Sequence, residues 1–148
     1  MKNSLLIISL FIISITFGQC PTSSWEYVIN NQQDIDEYFM NFPDCTELEQ
    51  ILRIEGADIS NLNGLNGITS FGGLVIANNP LLTNVDGLSS LIDFDYSNNS
   101  RVFVINNPLL TNLSGLSNAL NDNPMDVTIQ DNPQLISLNG LQGIQGVG

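Results

Sequence analysis

The stretch Asn78-Asn79-Pro80-Leu81-Leu82-Thr83-Asn84 returns as Asn106-Asn107-Pro108-Leu109-Leu110-Thr111-Asn112, and Asp131-Asn132-Pro133 begins a third, related copy. Each copy follows a short run of alternating apolar residues and precedes a Leu or Val, a Gly and another Leu. A unit that recurs at this spacing is typical of a solenoid, in which each coil of chain stacks on the one before. The sequence therefore predicts a mainly β solenoid with parallel strands and about four coils.

One strand is predicted for each coil, centred on residues 52–54, 74–76, 102–104 and 127–129, at spacings of 22, 28 and 25 residues. Alternation along a strand points every second side chain to one face. The side chains predicted to form an inward aliphatic column are Leu52, Ile54, Leu74, Ile76, Val102, Val104, Val127 and Ile129. The first coil carries Gly56-Ala57-Asp58 in place of Asn-Asn-Pro, and first coils are often atypical.

The recurring corner is interpreted as structural. Proline cannot donate a ladder hydrogen bond, so the strand ends there. Asparagine tolerates left-handed backbone and bonds nearby main chain. Because neighbouring strands lie about 4.8 Å apart, Asn79, Asn107 and Asn132 are expected to stack as a ladder of amides. Ligand contact by these asparagines is the less favoured alternative, and the glycines after each corner are expected to allow a turn.

Residues 1–19 match a secretory signal peptide. Lys2 supplies the positive start, and residues 5–17 are almost wholly apolar. This run is shorter than the roughly 20 residues that a spanning helix needs. An uncleaved membrane anchor is the alternative, and no membrane insertion is expected after cleavage.

Cys20 comes directly after the predicted signal peptide, and the other cysteine is Cys45. Two cysteines in an exported chain favour a disulfide, which would stabilise the fold by about 3 kcal/mol in the chain-entropy model. A lipid-anchored Cys20 is the alternative. The residues before it, Phe17 and Gln19, match a lipid-attachment motif poorly.

Residues 20–45 differ in pattern from the repeating coils and are predicted to cap the open end of the first coil. Alternation around Trp25 to Ile29 indicates a strand, and Asn31 is placed to cap a helix. Apolar residues at helical spacing come next, namely Ile35, Tyr38, Phe39 and Phe42. Pro43 is expected to end the helix. A separate functional module is the alternative interpretation of this segment.

The charge of the chain excludes one class of partner. Fifteen Asp and Glu oppose three Lys and Arg, with no histidine, for a net charge of −12. Such a charge repels phosphate backbones, so no nucleic-acid partner is expected. No cofactor or metal is predicted. Residues 93–100 are rich in oxygen ligands that suit calcium, but they lack an EF-hand spacing, so a solvated loop is favoured. Residues 98–100 and 112–114 match the glycosylation sequon.

The strand, the Asn-Asn-Pro-x-Leu corner and the subsequent Leu-x-Gly-Leu together resemble the receptor L-domain-like leucine-rich repeats of secreted bacterial surface proteins. The front end, through Pro43-Asp44-Cys45-Thr46, looks like the cap before such repeats. The resemblance implies a leucine-rich-repeat solenoid over residues 46–148, export to the outer cell surface, and binding or adhesion. Residues 140–148 match the lead-in to another coil, so we expect a chain truncated at its C-terminus.

The sequence supports three hypotheses about function. The favoured one is a non-enzymatic extracellular module that binds an unknown protein or glycan through the outward strand face. That face is predicted to present one row of Arg53, Val75, Phe103 and Thr128 and another of Glu55, Ala77, Ile105 and Gln130. An apolar centre with a polar rim suits an interface. The alternatives are a structural spacer in a larger surface protein and, less favoured, a polysaccharide-active enzyme using Asp93 and Asp95.

Overall fold

A computed structural model describes residues 19–22, 25–94, 101–119 and 126–141. Within these residues the chain is mainly β, and one six-stranded parallel sheet has the order β1-β2-β3-β5-β6, with β4 paired to β3. The strands are β1 Glu26–Ile29, β2 Glu47–Ile54, β3 Ser70–Ala77, β4 Asp93–Phe94, β5 Arg101–Ile105 and β6 Asp126–Gln130. The predicted mainly β class with parallel strands is confirmed. All four predicted strand centres lie in strands, whereas β4 was not predicted.

Strand register places the predicted inward residues in two rows across the sheet. One row aligns Leu52, Leu74, Val102 and Val127. The other row aligns Ile54, Ile76, Val104 and Ile129. The first three members of each row are fully buried. Val127 and Ile129, on the last described strand, are partly buried and pack against the same core.

A second layer faces the inward side of the sheet. It consists of the 3-10 helices Asn63–Leu65, Asp86–Leu88 and Ser114–Leu116, each of which contacts the next. Their leucines, Leu65, Leu88 and Leu116, are buried. The hydrophobic core therefore lies between the parallel sheet and these helices. The sequence pattern predicted only a glycine turn where these helices form.

The segment before β2 packs on the same core. β1 pairs with β2, and the helices α1 Gln32–Asp36 and α2 Tyr38–Asn41 contact the 3-10 helix Asn63–Leu65. The Asn31 side chain accepts a hydrogen bond from the Asp34 N–H, as expected of a helix cap. The single expected helix is broken at Glu37. This break lets Tyr38 and Phe42 pack edge-on or tilted against each other and Tyr27.

Cys20 and Cys45 form a disulfide, with an S–S distance of 2.05 Å, which confirms the predicted pairing. A cysteine in a disulfide has no thiol left for a lipid, so the alternative of a lipid-anchored Cys20 is not supported. The Tyr38 hydroxyl donates to Cys45 Sγ at 3.1 Å. Gln50 Nε2 donates to the Pro21 carbonyl at 2.6 Å. The segment around Cys20 is thus attached to both the helices and β2.

Three expectations concern residues outside the described ranges: the signal peptide except its last residue, most of the 93–100 loop, and residues 142–148. In the part of the chain that the structure does describe, no helix has the length and apolar character to cross a bilayer.

Candidate functional site

The second asparagine of each corner is directed into the molecule. Asn79 and Asn107 are fully buried polar residues. Asn79 Nδ2 donates to the Ile54 carbonyl at 3.0 Å and to Asn107 Oδ1 at 3.0 Å. The Asn79 backbone N–H also donates to Asn107 Oδ1, at 3.2 Å. The Asn79 side chain therefore serves the end of the preceding strand, and the Asn107 side chain serves the main chain of the Asn79 corner.

The same bonding continues from Asn107 to Asn132. Asn107 donates to Asn132 Oδ1 from its backbone N–H at 2.9 Å and from Nδ2 at 3.1 Å. Asn132 Nδ2 donates to the Val104 carbonyl at 2.8 Å. At the opposite end, the Gly56 N–H donates to Asn79 Oδ1 at 2.9 Å. We call Asn79, Asn107 and Asn132 the inner ladder. Its amides are engaged by protein groups along its whole length.

The first residue of each corner has a different role that the sequence argument did not separate. Asn78, Asn106 and Asp131 adopt φ values of 55°, 55° and 56°, in the left-handed region that Asn and Asp tolerate best among residues other than glycine. All three are exposed. Asn78 Nδ2 donates to Glu55 Oε1 at 2.8 Å, and Asn106 Nδ2 donates to Asn78 Oδ1 at 2.7 Å. We call these three residues the outer ladder.

The outward face of the sheet holds the predicted binding residues in register. Arg53, Val75, Phe103 and Thr128 align in one row. Ala77, Ile105 and Gln130 align in the next, and Glu55 comes directly after Ile54 at the end of β2. Phe103 and Ile105 are half-buried, whereas Thr128 and Gln130 are exposed. The structure thus brings all eight residues to one face.

Val75 and Ala77 differ from the expectation of accessible apolar surface. Each is only 6% exposed. In a parallel sheet, register neighbours lie about 4.8 Å apart, so a short side chain between longer ones loses solvent contact. Val75 lies between Arg53 and Phe103 in register. Together with Gly73 in the same strand, these residues form the low centre of the face, and Phe103 and Ile105 supply its accessible apolar surface.

Ion pairs border this face. Arg53 Nε lies 2.7 Å from Glu26 Oε1, and Arg53 Nη1 lies 3.5 Å from Glu55 Oε2. Arg101 Nε lies 3.8 Å from Asp126 Oδ2, and both of these side chains are exposed. Arg53 is therefore engaged by two carboxylates, whereas Arg101 is only loosely paired with Asp126 at the surface.

The proposed carboxylate pair is only half described. Asp93 lies in β4, exposed, in register with Ser70, and Asp95 is outside the described residues. A cavity of about 270 Å³ beside Asp93 is lined by Glu47, Leu48, Glu49 and Ser70 as well. No cluster of three or more His, Cys, Asp or Glu suited to a metal ion occurs among the residues with described positions.

No protein-family model, curated protein or solved structure matches this chain. The resemblance to receptor L-domain-like repeats rests on the strand, corner, glycine and leucine residues of each unit and on the front end through residues 43–46.

Proposed function

We propose that this chain is a non-enzymatic extracellular binding or adhesion module built on a short solenoid of receptor L-domain-like leucine-rich repeats. Three features support the solenoid: parallel strands β2, β3, β5 and β6 adjacent in chain order, 3-10 helices that contact one another in the same order, and the inner ladder. In this interpretation each coil is a strand, a corner and a 3-10 helix, and residues 20–45 cover the first coil.

The Cys20–Cys45 disulfide supports an extracellular location. Disulfides persist in oxidising compartments and are rare where thiols are kept reduced. Together with the signal-peptide pattern of residues 1–19, it favours secretion or display at the outer cell surface.

The observation that carries the binding proposal is the exposed part of Phe103 and Ile105 on the outward face. Aromatic and aliphatic side chains surrounded by a polar rim form the energetic centre of many interfaces. Here the rim is supplied by the Arg53–Glu26 pair and by Thr128 and Gln130. The ligand class is a protein or a glycan, whose apolar surface would pack on Phe103.

Phe103→Asp tests this proposal. The folded chain would be screened against arrays of glycans and of purified extracellular proteins, and each hit would be measured again with the variant. We expect Phe103→Asp to weaken binding at least tenfold with an unchanged circular dichroism spectrum. Ser117→Asp adds the same charge at an exposed residue beyond a 3-10 helix and should leave binding unchanged. Hits that bind both variants like the wild type would overturn this assignment of the surface.

A structural spacer is the second candidate, because the inner ladder forms a continuous hydrogen-bonded connection between strand ends. Such a connection would make a solenoid stiff. A spacer would give no array hit that depends on Phe103.

A further inference from the structure

The outer ladder has a direction. Asn106 donates its amide to Asn78, and Asn78 donates its amide to Glu55. Each amide therefore donates towards the N-terminal side and leaves its oxygen to accept from the next corner. Asn78 Oδ1 is filled in this way by Asn106 Nδ2, at 2.7 Å.

This donation to the preceding corner stops at the third corner. Asp131 stands where an asparagine would continue the ladder, and an ionised carboxylate has no N–H to donate. No described residue donates a hydrogen bond to Asn106 Oδ1. The Asp131 carboxylate accepts one bond, from Gln130 Nε2 at 3.1 Å. Since β5 and β6 pair with Ile105 opposite Gln130, the two acceptors occupy equivalent positions at neighbouring strand ends.

These acceptors border a shallow cavity of about 550 Å³, open to solvent and lined by Asn106, Pro108, Asp131, Asn132 and Pro133. The Asn132 side chain is already bonded to Asn107 and Val104. Among the side chains that line the cavity, Asn106 Oδ1 and the Asp131 carboxylate therefore retain capacity to accept hydrogen bonds. A ligand must bring hydrogen-bond donors, and a positively charged donor matches the carboxylate best.

We propose that this corner cavity binds a lysine or arginine side chain of a protein partner, with the ammonium or guanidinium group bridging Asn106 Oδ1 and Asp131. The inference rests on the proposed function and locates a second contact beside the outward face. Charge favours it, because the chain carries a net charge of −12 and a basic partner is attracted at long range. A cation would also supply the donor that the outer ladder lacks.

The test uses Nα-acetyl-lysine amide as the probe, with the backbone amide signals of Asn106 and Asp131 followed by NMR. We expect saturable shifts at these two signals and none with Nα-acetyl-norleucine amide, which keeps the alkyl chain and lacks the ammonium group with its charge and its hydrogen-bond donors. Asp131→Asn should weaken binding of the lysine probe about two- to fivefold, the range of one exposed ion pair. Asp44→Asn, which changes the net charge equally at an exposed residue before β2, should not weaken it.

A second readout needs no ligand. In Asp131→Asn the new amide can donate to Asn106 Oδ1 and extend the outer ladder, so the urea midpoint should rise by more than in Asp44→Asn, which only lowers the net negative charge. A midpoint in Asp131→Asn no higher than that in Asp44→Asn would contradict the acceptor mismatch. Equal weakening of the probe by both variants would indicate general charge attraction and overturn the site. Stronger shifts with methyl N-acetylglucosaminide would assign the cavity to a glycan instead. None of these outcomes would contradict the proposed function, which is tested separately by array binding that Phe103→Asp abolishes.

Discussion

At the scale of single residues, two adjacent asparagines perform different tasks. Asn78 and Asn106 take the left-handed backbone that turns the chain and remain exposed. Asn79 and Asn107 are buried and use their amides on main-chain groups. Because asparagine suits both tasks, the sequence repeats the residue and conceals the division. The third corner reveals this division, because it has Asp131 at the exposed position and retains an asparagine, Asn132, at the inner position.

Asn107→Ala is expected to be among the most destabilising single substitutions. Its side chain accepts two bonds from Asn79 and donates to Ile76, Ile105 and Asn132. Each buried polar group left without a partner costs about 1–3 kcal/mol. We therefore expect the free energy of unfolding to fall by about 3–5 kcal/mol, measured by urea denaturation.

Asn78→Gly is the matched control for that measurement. It removes an exposed amide from the outer ladder while glycine accepts the φ of 55° without strain. A loss below about 1 kcal/mol is expected, since exposed hydrogen bonds are replaced by water. Similar losses in both variants would contradict the distinction between the inner and outer ladders.

Two tyrosines give the fold an alkaline limit. Burial raises the pKa of Tyr38 well above its usual value of 10.0, and the neighbouring Tyr27 adds to the shift. Burial and, to a smaller extent, the charge of Asp34 also raise the pKa of Tyr27. The neutral phenols are thus favoured in the folded state. Their contribution to stability is fully present below about pH 10 and is lost as the pH rises from there towards the folded pKa.

We expect the free energy of unfolding to show no tyrosine-dependent change from pH 7 to 9 and to decline above about pH 10. Absorbance of tyrosinate should appear together with loss of circular dichroism. Tyr38→Phe cannot ionise at this position and should show a shallower alkaline decline. If Tyr27 and Tyr38 ionised near pH 10 in the folded chain, the effect of burial would be refuted.

At the scale of elements, close approach of backbones decides where glycine is needed. A Cβ on Gly87 would collide with the Leu62 carbonyl of the preceding 3-10 helix region, and a Cβ on Gly115 would collide with the Val85 carbonyl. Main chain cannot swing aside as a flexible side chain can. These glycines set the spacing of the second layer and therefore the fit of Leu65, Leu88 and Leu116 to the sheet.

Gly87→Ala is accordingly expected to cost about 3 kcal/mol or more, because overpacking forces backbone shifts. Gly73→Ala is the control within β3. Its Cβ would lie 3.2 Å from Ile51 Cγ1 and 3.3 Å from the Arg101 carbonyl, a tight contact that small adjustments relieve. A change within about 1 kcal/mol is expected there, since alanine also restricts the unfolded chain. Thermal unfolding would rank the two, and the reverse order would contradict this account.

The disulfide fixes the N-terminal segment to the rest of the molecule. Reduction frees a loop with a sequence separation of 25 residues, which corresponds to about 3 kcal/mol of chain entropy. We expect the double variant Cys20→Ser, Cys45→Ser to lose about this free energy of unfolding and to become insensitive to dithiothreitol. A wild-type protein whose urea midpoint ignored reductant would show that the bond stabilises nothing.

At the scale of the whole molecule, the periodicity of the sequence predicted the four repeat strands and the face on which their side chains lie. The alternation along each strand predicted which side chains face inward, because each residue faces one of only two sides, and the recurrence of the unit predicted the parallel pairing. The pattern contains no direct signal for the packing of one row on another. It therefore missed the burial of Val75 beside Arg53 and Phe103, and the 3-10 form of the Gly-Leu turns.

Local helix spacing was misleading for a related reason. The stripe of Ile35, Tyr38 and Phe42 predicted one helix, yet the chain breaks at Glu37. Tertiary packing of Tyr38 on Tyr27 and Phe42 overrides the local preference there. The sequence predicted which residues lie on the outward face. It did not predict that Val75 and Ala77 are buried while Phe103 and Ile105 stay partly exposed, because that depends on the side chains of the neighbouring strands.

Charge acts on the molecule as a whole and gives a final prediction. Fifteen acidic residues face three basic ones. The ion pairs among the described residues are confined to Arg53 and Arg101. Repulsion among the remaining carboxylates opposes the compact state more than these exposed or half-exposed pairs favour it.

Raising sodium chloride from about 10 to 200 mM shortens the screening length from roughly 30 Å to below 10 Å. We expect the unfolding temperature to rise by about 3 °C and then to level off, as measured by differential scanning calorimetry. The plateau separates screening from salting-out, which continues to grow at molar concentration. A fall in unfolding temperature over the same range would contradict this prediction. It would mean that the ion pairs of Arg53 and Arg101 stabilise the fold by more than the repulsion among the carboxylates destabilises it.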